Sequence, residues 1–230
     1  NYAYIYISQF QLPTGRDVRQ AIIKLQKEKT LRGLILDLRN NPGGVLSGAI
    51  NVSDAFLNQG TIVSTKGRNK RASSIIRATP GDITKGIPIV VLINSGSASA
   101  SEIVAGALQD NKRAIIIGST SFGKGSVQNV LELDDDTAVK LTTARYYTPD
   151  DKSIQAKGIV PDIIVDALKL ENKKSAIKFT ESSLKGHLDN PDNKKETKNK
   201  KQSSLATKDY VLYEAVNLLK ALHIVNKNIK

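Results

Sequence analysis

The chain has 230 residues, contains no cysteine and carries a formal net charge of +12 at pH 7. This length suits one sizeable α/β domain, or one domain with an appendage. The lack of cysteine excludes disulfides, thiol catalysis and cysteine-ligated metal, and both histidines, His187 and His223, lie in the last quarter of the chain. A histidine-based triad or a histidine-rich metal site is therefore not expected.

The N-terminus alternates like a strand and has no basic region, so it is not read as a signal peptide. No stretch approaches the ~18 consecutive apolar residues of a membrane span. Because the chain also contains no methionine at all, we expect it to be a piece of a longer protein.

The first part of the chain predicts a strand, a helix, a second strand and a second helix. Residues 4–10 predict the first strand, and Thr14 can cap the helix that follows. The apolar run 33–38 lacks polar alternation, which is typical of a strand buried on both faces of a sheet. It ends in a glycine-rich turn at 39–44, after which apolar residues recur at helical spacing.

The middle of the chain repeats the order of strand, turn and helix. Strands are predicted at 61–65, 87–93 and 114–118, with a helix from about 100 to 109. Two further strands, at 127–133 and 138–147, predict an antiparallel pair. In such an α/β arrangement the functional turns lie at the carboxyl ends of parallel strands.

The C-terminal part divides into a polar linker and a helix. Between residues 185 and 201, six lysines accompany three acids among Asn, Ser and Thr, which is typical of a solvated linker rather than a nucleic-acid surface. We therefore place a core domain at 1–168, a Lys-rich linker at 169–208 and a helix with its tail at 209–230, and expect no nucleic-acid partner. The helix carries an apolar stripe, which must be buried on the core, as we prefer, or against a partner: Val211, Leu212, Ala215, Leu218, Leu219 and Leu222.

Ser99 is a candidate nucleophile because it lies where the strand 87–93 gives way to a helix. A helix N-terminus offers free backbone N–H groups and a positive dipole end, which can stabilise an oxyanion. Ser97 and Ser101 flank it at alternate positions. A serine at this position could instead serve only as a helix cap.

Lys124 is the candidate base, since no histidine or cysteine lies near Ser99 in the sequence. To take the serine proton its amine must be neutral, which burial among apolar groups favours. Gln128, four residues on, could orient the amine without adding a charge. Alternatively, Gly118 and Gly123 with Lys124 match most of a phosphate-binding P-loop, but Gly125 stands where Ser or Thr should bind magnesium.

The turn at 39–44 is the third candidate element. Gly43 and Gly44 precede a helix and could present a backbone N–H to a ligand. In isolation, this motif is also compatible with an ordinary glycine-rich turn between strand and helix.

Together, these segments resemble the carboxyl-terminal processing proteases, which are tail-specific serine peptidases with a Ser-Lys dyad. The resemblance runs from about residue 4 to residue 164. Its motifs are Leu36-Asp37-Leu38-Arg39-Asn40-Asn41-Pro42-Gly43-Gly44, Ser97-Ala98-Ser99-Ala100-Ser101-Glu102-Ile103 and Phe122-Gly123-Lys124-Gly125-Ser126-Val127-Gln128.

The resemblance implies a role for each matching residue. Ser99 would be the nucleophile, Lys124 the general base and Gln128 the residue that orients the base. The backbone N–H groups of Gly44 and Ala100 would form the oxyanion hole. The implied fold is α/β, a crotonase/ClpP-like superhelical core of ββα units, to which this chain adds a polar linker and a C-terminal helix.

The resemblance also implies a setting: protein or peptide substrates with apolar C-termini, no metal or cofactor, and a bacterial periplasm or cell envelope. Members usually carry a PDZ domain before the core, and none precedes residue 4 of this sequence. Two alternatives remain open. The core could be an inactive binding or assembly module, forming a homo-oligomer through its C-terminal helix, or a crotonase-type acyl-CoA enzyme.

Overall fold

Two β-sheets organise the chain in a computed structural model that describes residues 1–68, 73–134, 137–166, 168 and 205–228. The strands in chain order are β1 (Ala3–Tyr6), β2 (Leu34–Asp37), β3 (Thr61–Gly67), β4 (Ser74–Arg77), β5 (Ile89–Ile93), β6 (Ile115–Gly118), β7 (Ser126–Glu132), β8 (Ala138–Tyr147) and β9 (Ile163–Ile164). The helices are α1 (Thr14–Glu28), α2 (Leu46–Asp54), α3 (Ala100–Asp110) and α4 (Tyr210–Asn228).

The first sheet is parallel, with the strand order β1-β2-β5-β6-β9. Its central strands are apolar runs whose residues are buried on both faces, as the sequence predicts for β2 and β5. In the register, Leu36 lies opposite Ile5 on one side and Val91 on the other. The α/β class expected from the sequence is therefore confirmed.

Alternate residues of each parallel strand face two different cores. On one face, Leu36, Val91 and Ile116 belong to the main core with residues of α1, α2 and α3. On the other face, Ile35, Val90, Leu92 and Ile117 pack against α4 through Val211, Ala215 and Leu219. Three residues of the predicted apolar stripe of the C-terminal helix are thus buried on the core, with Leu212 and Leu218 partly buried beside them, which agrees with the preferred interpretation of the sequence.

The second sheet is antiparallel, with the order β4-β3-β8-β7. The predicted pairing of β7 with β8 is present, whereas β4 was not expected from the sequence and pairs with β3. Strand β3 meets β8 only at residues 144–147, so the rest of the β7–β8 hairpin extends as a two-stranded ribbon. Most ribbon residues are exposed on both faces.

Other boundaries differ modestly from the expectations. The first strand ends at Tyr6 rather than residue 10, and Phe10 forms an isolated bridge with Gly44. The predicted linker at 169–208 lies outside the described residues except for 205–208, which are helical. No helix in the described ranges is both long and apolar enough to cross a bilayer.

Candidate active site

Three turns meet at one edge of the parallel sheet because each follows the carboxyl end of a neighbouring strand. They follow β2, β5 and β6, which are adjacent in the sheet. This edge is where open α/β sheets generally bind ligands. The candidate residues Gly44, Ser99 and Lys124 lie on or just after these turns.

Ser99 is the N-cap residue of α3 and has φ 55° and ψ −109°. A side chain in this region of positive φ is strained, at a cost of about 1–3 kcal/mol, and such strain concentrates at functional sites. A sharp strand-to-helix turn of this kind exposes a serine hydroxyl at the top of a sheet. The helix-cap and nucleophile interpretations therefore fall on the same residue.

The flanking serines have structural roles that Ser99 does not share. Ser97 and Ser101 are fully buried, and their hydroxyls donate to the carbonyl oxygens of Leu38 (2.8 Å) and Asn41 (2.9 Å). These bonds tie the turn after β5 to the turn after β2. Ser99 is the one partly exposed member of the three serines.

A buried carboxylate, that of Glu102, holds the serine and lysine segments side by side. One of its oxygens, Oε2, accepts the backbone N–H of Ser99 (2.7 Å) and of Lys124 (2.9 Å). The other, Oε1, accepts the Ser121 hydroxyl and the Gly123 N–H, each at 2.6 Å. Because all four donors are neutral hydrogen-bonding groups, the fully buried carboxylate is satisfied without a cation.

Lys124 is half-buried, and Gln128 lies exposed on β7. Within the described residues, no hydrogen bond joins the Lys124 amine to the Ser99 hydroxyl or to the Gln128 amide, although such bonds often tighten only when substrate binds. The roles of both residues therefore stay predictions. The chain continues from Lys124 into strand β7, so the helix required by a phosphate-binding P-loop is absent at this position.

The glycine pair after β2 packs directly against its neighbours. Gly43 has φ 101°, and a Cβ there would lie 2.9 Å from the Ser99 Cβ and 2.7 Å from the Ala98 carbonyl oxygen. Gly44 has φ 142°, and a Cβ would overlap the carbonyl oxygen of Phe10. Both positions therefore require glycine, which explains the close approach of this turn to Ser99.

The two backbone N–H groups expected to form an oxyanion hole have no hydrogen-bond partner among the described residues. In the part of the chain that the structure describes, neither Gly44 N nor Ala100 N has an acceptor. Ala100 begins α3, where the first N–H groups of a helix lack internal partners. No three His, Cys, Asp or Glu side chains of this part lie together in a way that could hold a metal ion.

Sequence reasoning missed two residues that shape this site. Asn41, fully buried, donates from Nδ2 to the Ile7 carbonyl (2.7 Å) and accepts the Gly43 N–H on Oδ1 (2.9 Å). Glu102 could have been recognised, since Ser99-x-x-Glu102 has the spacing of a capping box. Asn41 carries no comparable local signal, because its partners come from other segments.

A cluster of charged side chains lies at the same edge, on the side of α4. The Arg39 guanidinium binds Asp37 (2.6 Å) and Asp209 (2.7 Å), and the Tyr4 hydroxyl donates to Asp37 (2.8 Å). Burial together with the Asp37 carboxylate raises the pKa of Tyr4 to about 12. Burial alone would raise the pKa of Asp209, but the bonds from Arg39 and from the Leu212 amide outweigh it and lower that pKa below its ordinary value.

The serine, lysine and glycine segments thus lie at one edge of the parallel sheet, the edge at which open α/β sheets generally bind ligands. The sequence model of peptidase family S41 matches residues 1–165, and the chain belongs to this family.

Individual relatives agree with this assignment. Over 189 residues the chain is 52% identical to a carboxy-terminal-processing protease of Bartonella bacilliformis, covering 80% of this chain and 44% of that protein. It is 44% identical over 163 residues to a carboxyl-terminal-processing protease of Synechocystis sp., covering 71% of this chain and 38% of the relative. Among solved structures, the photosystem II D1 C-terminal processing protease superposes with a TM-score of 0.65 at 38% identity, over 71% of this chain and 42% of the other. The chain thus spans less than half the length of these relatives.

Proposed function

We propose that this chain is the catalytic core of a serine endopeptidase that cleaves protein substrates near their C-termini through a Ser-Lys dyad. Ser99 is the nucleophile, Lys124 the general base and Gln128 the residue that orients the base. The N–H groups of Gly44 and Ala100 form the oxyanion hole.

The shared Glu102 oxygen is the observation that carries this proposal. It binds the N–H groups of both Ser99 and Lys124, and these residues stand 25 positions apart in the sequence. Two amides on one acceptor hold the two backbones next to each other, which supports the proposal that the two side chains act on a common substrate atom. Proximity of nucleophile and base is the first requirement of this chemistry.

The reaction proceeds in two halves. The neutral Lys124 amine takes the hydroxyl proton of Ser99 while Oγ attacks the peptide carbonyl carbon, and the oxyanion accepts hydrogen bonds from Gly44 and Ala100. The lysine ammonium then gives its proton to the departing amine, which leaves an ester on Ser99. A water molecule, deprotonated by the same amine, attacks the ester carbonyl carbon. The bond between that carbon and Oγ then breaks, and the lysine ammonium returns its proton to Oγ, which restores the serine hydroxyl and the neutral amine.

The relatives are bacterial proteases named for C-terminal processing, which supports protein or peptide substrates. Apolar C-termini of these substrates and a periplasmic or cell-envelope location are further parts of the proposal. Homo-oligomerisation through α4 stays a prediction. Part of its apolar stripe is buried on the core, and among the described side chains Ile224 and Val225, near the end of the helix, are exposed. Sedimentation analysis would test it.

The experiment is cleavage of an unstructured polypeptide with an apolar C-terminus, followed by mass spectrometry. We expect the wild type to cleave and both Ser99→Ala and Lys124→Ala to lose roughly 10⁴-fold or more in rate. Ser95→Ala is the matched control, because Ser95 is exposed on the same turn, and it should retain full activity. Full activity of Lys124→Ala, or loss of activity with EDTA, would contradict the proposal.

Two alternatives to the proposal are a crotonase-type acyl-CoA enzyme and an inactive binding module. The wild type, Ser99→Ala and Lys124→Ala also distinguish these two alternatives. Binding of an acyl-CoA without peptide cleavage would favour the former. Neither cleavage nor acyl-CoA binding would favour the latter.

A further inference from the structure

The helix α4 is tied to the turn after β2 by a bidentate ion pair. Arg39 Nη1 donates to Asp209 Oδ1 (2.9 Å), and Nη2 donates to Asp209 Oδ2 (2.7 Å). The other side of the guanidinium binds Asp37 through Nε and Nη2. Arg39 is therefore held between two carboxylates, of which Asp209 lies 170 residues further along the chain, in a fork geometry with a defined orientation.

Asp209 serves two structures at once. Besides pairing with Arg39, its Oδ1 accepts the N–H of Leu212 (2.9 Å), which is the bond of a helix N-cap. Helix α4 then places Val211, Ala215 and Leu219 on the parallel sheet. The start of this helix is thus fixed both by apolar packing and by the Arg39 side chain.

Arg39 is connected through the following residue to the turns that surround Ser99. The next residue, Asn40, has φ 57°, and its N–H donates to Asn94 Oδ1 while Asn94 Nδ2 donates to Asn40 Oδ1, each at 2.9 Å. Asn94 begins the turn that leads to Ser99. Toward the C-terminus, Asn40 is followed by Asn41 and then by the glycine pair.

Charge alone does not explain why Asp209 is present. Asp37 already neutralises Arg39, and Asp37 is almost completely buried whereas Asp209 is partly exposed. Loss of Asp209 would therefore leave no unpaired buried charge, and the apolar contacts of α4 would remain. The bidentate bond between Arg39 and Asp209 would be lost. This bond fixes the orientation of the guanidinium and the position of the backbone beside it.

We propose that α4 acts through Asp209 as a clamp on the turn after β2, which makes Asp209 a positioning residue for the oxyanion hole. The catalytic part of this statement rests on the proposed protease function. The clamp itself is a property of the fold.

The test compares Asp209→Ser with the wild type in the full chain. Serine caps a helix as well as aspartate does but is too short to reach Arg39, so the variant removes the ion pair and keeps the cap. The matched control is Asp166→Ser, because Asp166 is exposed beyond β9 and its replacement removes the same charge. A second variant, Asp209→Asn, keeps the side-chain length and should show a smaller effect.

Two readouts are needed. In Asp209→Ser, hydrogen exchange at the Asn40 and Gly43 amides, which are hydrogen-bonded in the wild type, should be about 10-fold faster, with β5 unchanged. For peptide cleavage we expect kcat to fall about 10-fold with KM within twofold, since a misplaced oxyanion hole weakens only the transition state. Asp166→Ser should match the wild type in both.

Unchanged exchange at Asn40 and Gly43 in Asp209→Ser would overturn the clamp, and so would a change confined to α4. A rise in KM with unchanged kcat would overturn the positioning role. If the wild type cleaves no polypeptide, the proposed function fails for this chain, while the exchange comparison still decides the clamp.

Discussion

The candidate nucleophile and the candidate base belong to two regions of very different character. Ser99 follows β5, whose five residues are all buried, and its turn is bonded to the turn after β2 through Ser97 and Ser101. Lys124 leads into β7, where every residue from Gln128 onward is exposed. A two-stranded ribbon without a covering layer is at best marginally stable by itself.

Because of this difference, the position of Lys124 relative to Ser99 must be fixed by contacts outside the exposed ribbon. The sheet edge is held by packing on both faces, whereas the ribbon is exposed. The segment around Lys124 is also held by backbone bonds from the Tyr146 N–H to the Gly125 carbonyl and from the Ala156 N–H to the Gly123 carbonyl. The bonds from Gly123 and Lys124 to Glu102, together with the Phe122 N–H bond to the Ser97 carbonyl, attach this segment to the helix that follows Ser99. Glu102 is therefore a joint between a rigid region and an exposed one.

Replacement of Glu102 should give the largest change in the free energy of unfolding. In Glu102→Gln, one carboxylate oxygen becomes an NH₂ group that faces N–H and O–H donors, so two hydrogen bonds to a charged acceptor are lost. We expect the free energy of unfolding to fall by roughly 2–4 kcal/mol, with peptide cleavage strongly reduced. Denaturant unfolding and a cleavage assay would measure both.

The control for this variant is Glu132→Gln, since Glu132 is exposed on the ribbon. Its unfolding free energy should stay within about 0.5 kcal/mol of the wild type. Equal stability of the two variants would contradict the role of Glu102 as a joint.

In the turn after β2, the energetic cost of steric contact can be separated from the cost of backbone conformation by comparing two glycines of nearly equal φ. Gly44 (φ 142°) and Gly81 (φ 145°) both adopt a conformation that disfavours a side chain, but a Cβ at Gly81 meets nothing within 4 Å. Gly81→Ala should cost about 1–2 kcal/mol for conformation alone. Gly44→Ala should cost at least about 1 kcal/mol more, because it also collides with Phe10.

Denaturant unfolding of both glycine variants gives this difference directly. If the two costs were the same, the close contact between Phe10 and the glycine turn would be energetically unimportant. Activity supplies an independent comparison, since only Gly44→Ala should slow peptide cleavage.

On the ribbon, substitution should barely affect the fold. Gln128→Ala should change the unfolding free energy by less than about 0.5 kcal/mol, because the side chain is exposed and makes no hydrogen bond among the described residues. If Gln128 orients the Lys124 amine, cleavage should nevertheless slow by about 10-fold, a part of what a positioned base contributes.

Val130→Ala, at another exposed ribbon position, is the control and should keep full activity. Equal activity of Gln128→Ala and the control would remove Gln128 from the mechanism. The measurement is kcat/KM on the polypeptide substrate.

Local features of the site could be predicted from the sequence because they depend on neighbouring residues. Apolar runs without alternation identify β2 and β5, glycines identify the turn after β2, and a serine between a strand and a helix identifies the N-cap of α3. Each of these signals lies within a few residues. They place Ser99 and Gly44 at turns without any knowledge of the fold.

Only the tertiary structure decided which distant groups meet. Assembly of the parallel sheet brings the Ser121 hydroxyl to Glu102, and the packing of α4 on the sheet brings Asp209 to Arg39; no local pattern specifies either pair. The same assembly buries Ser97 and Ser101 while leaving Ser99 partly exposed. The sequence by itself therefore determined the elements around the site and the chemical groups at their ends. The partners of those groups depended on packing between segments, because a hydrogen bond forms with whichever donor the folded chain brings within reach.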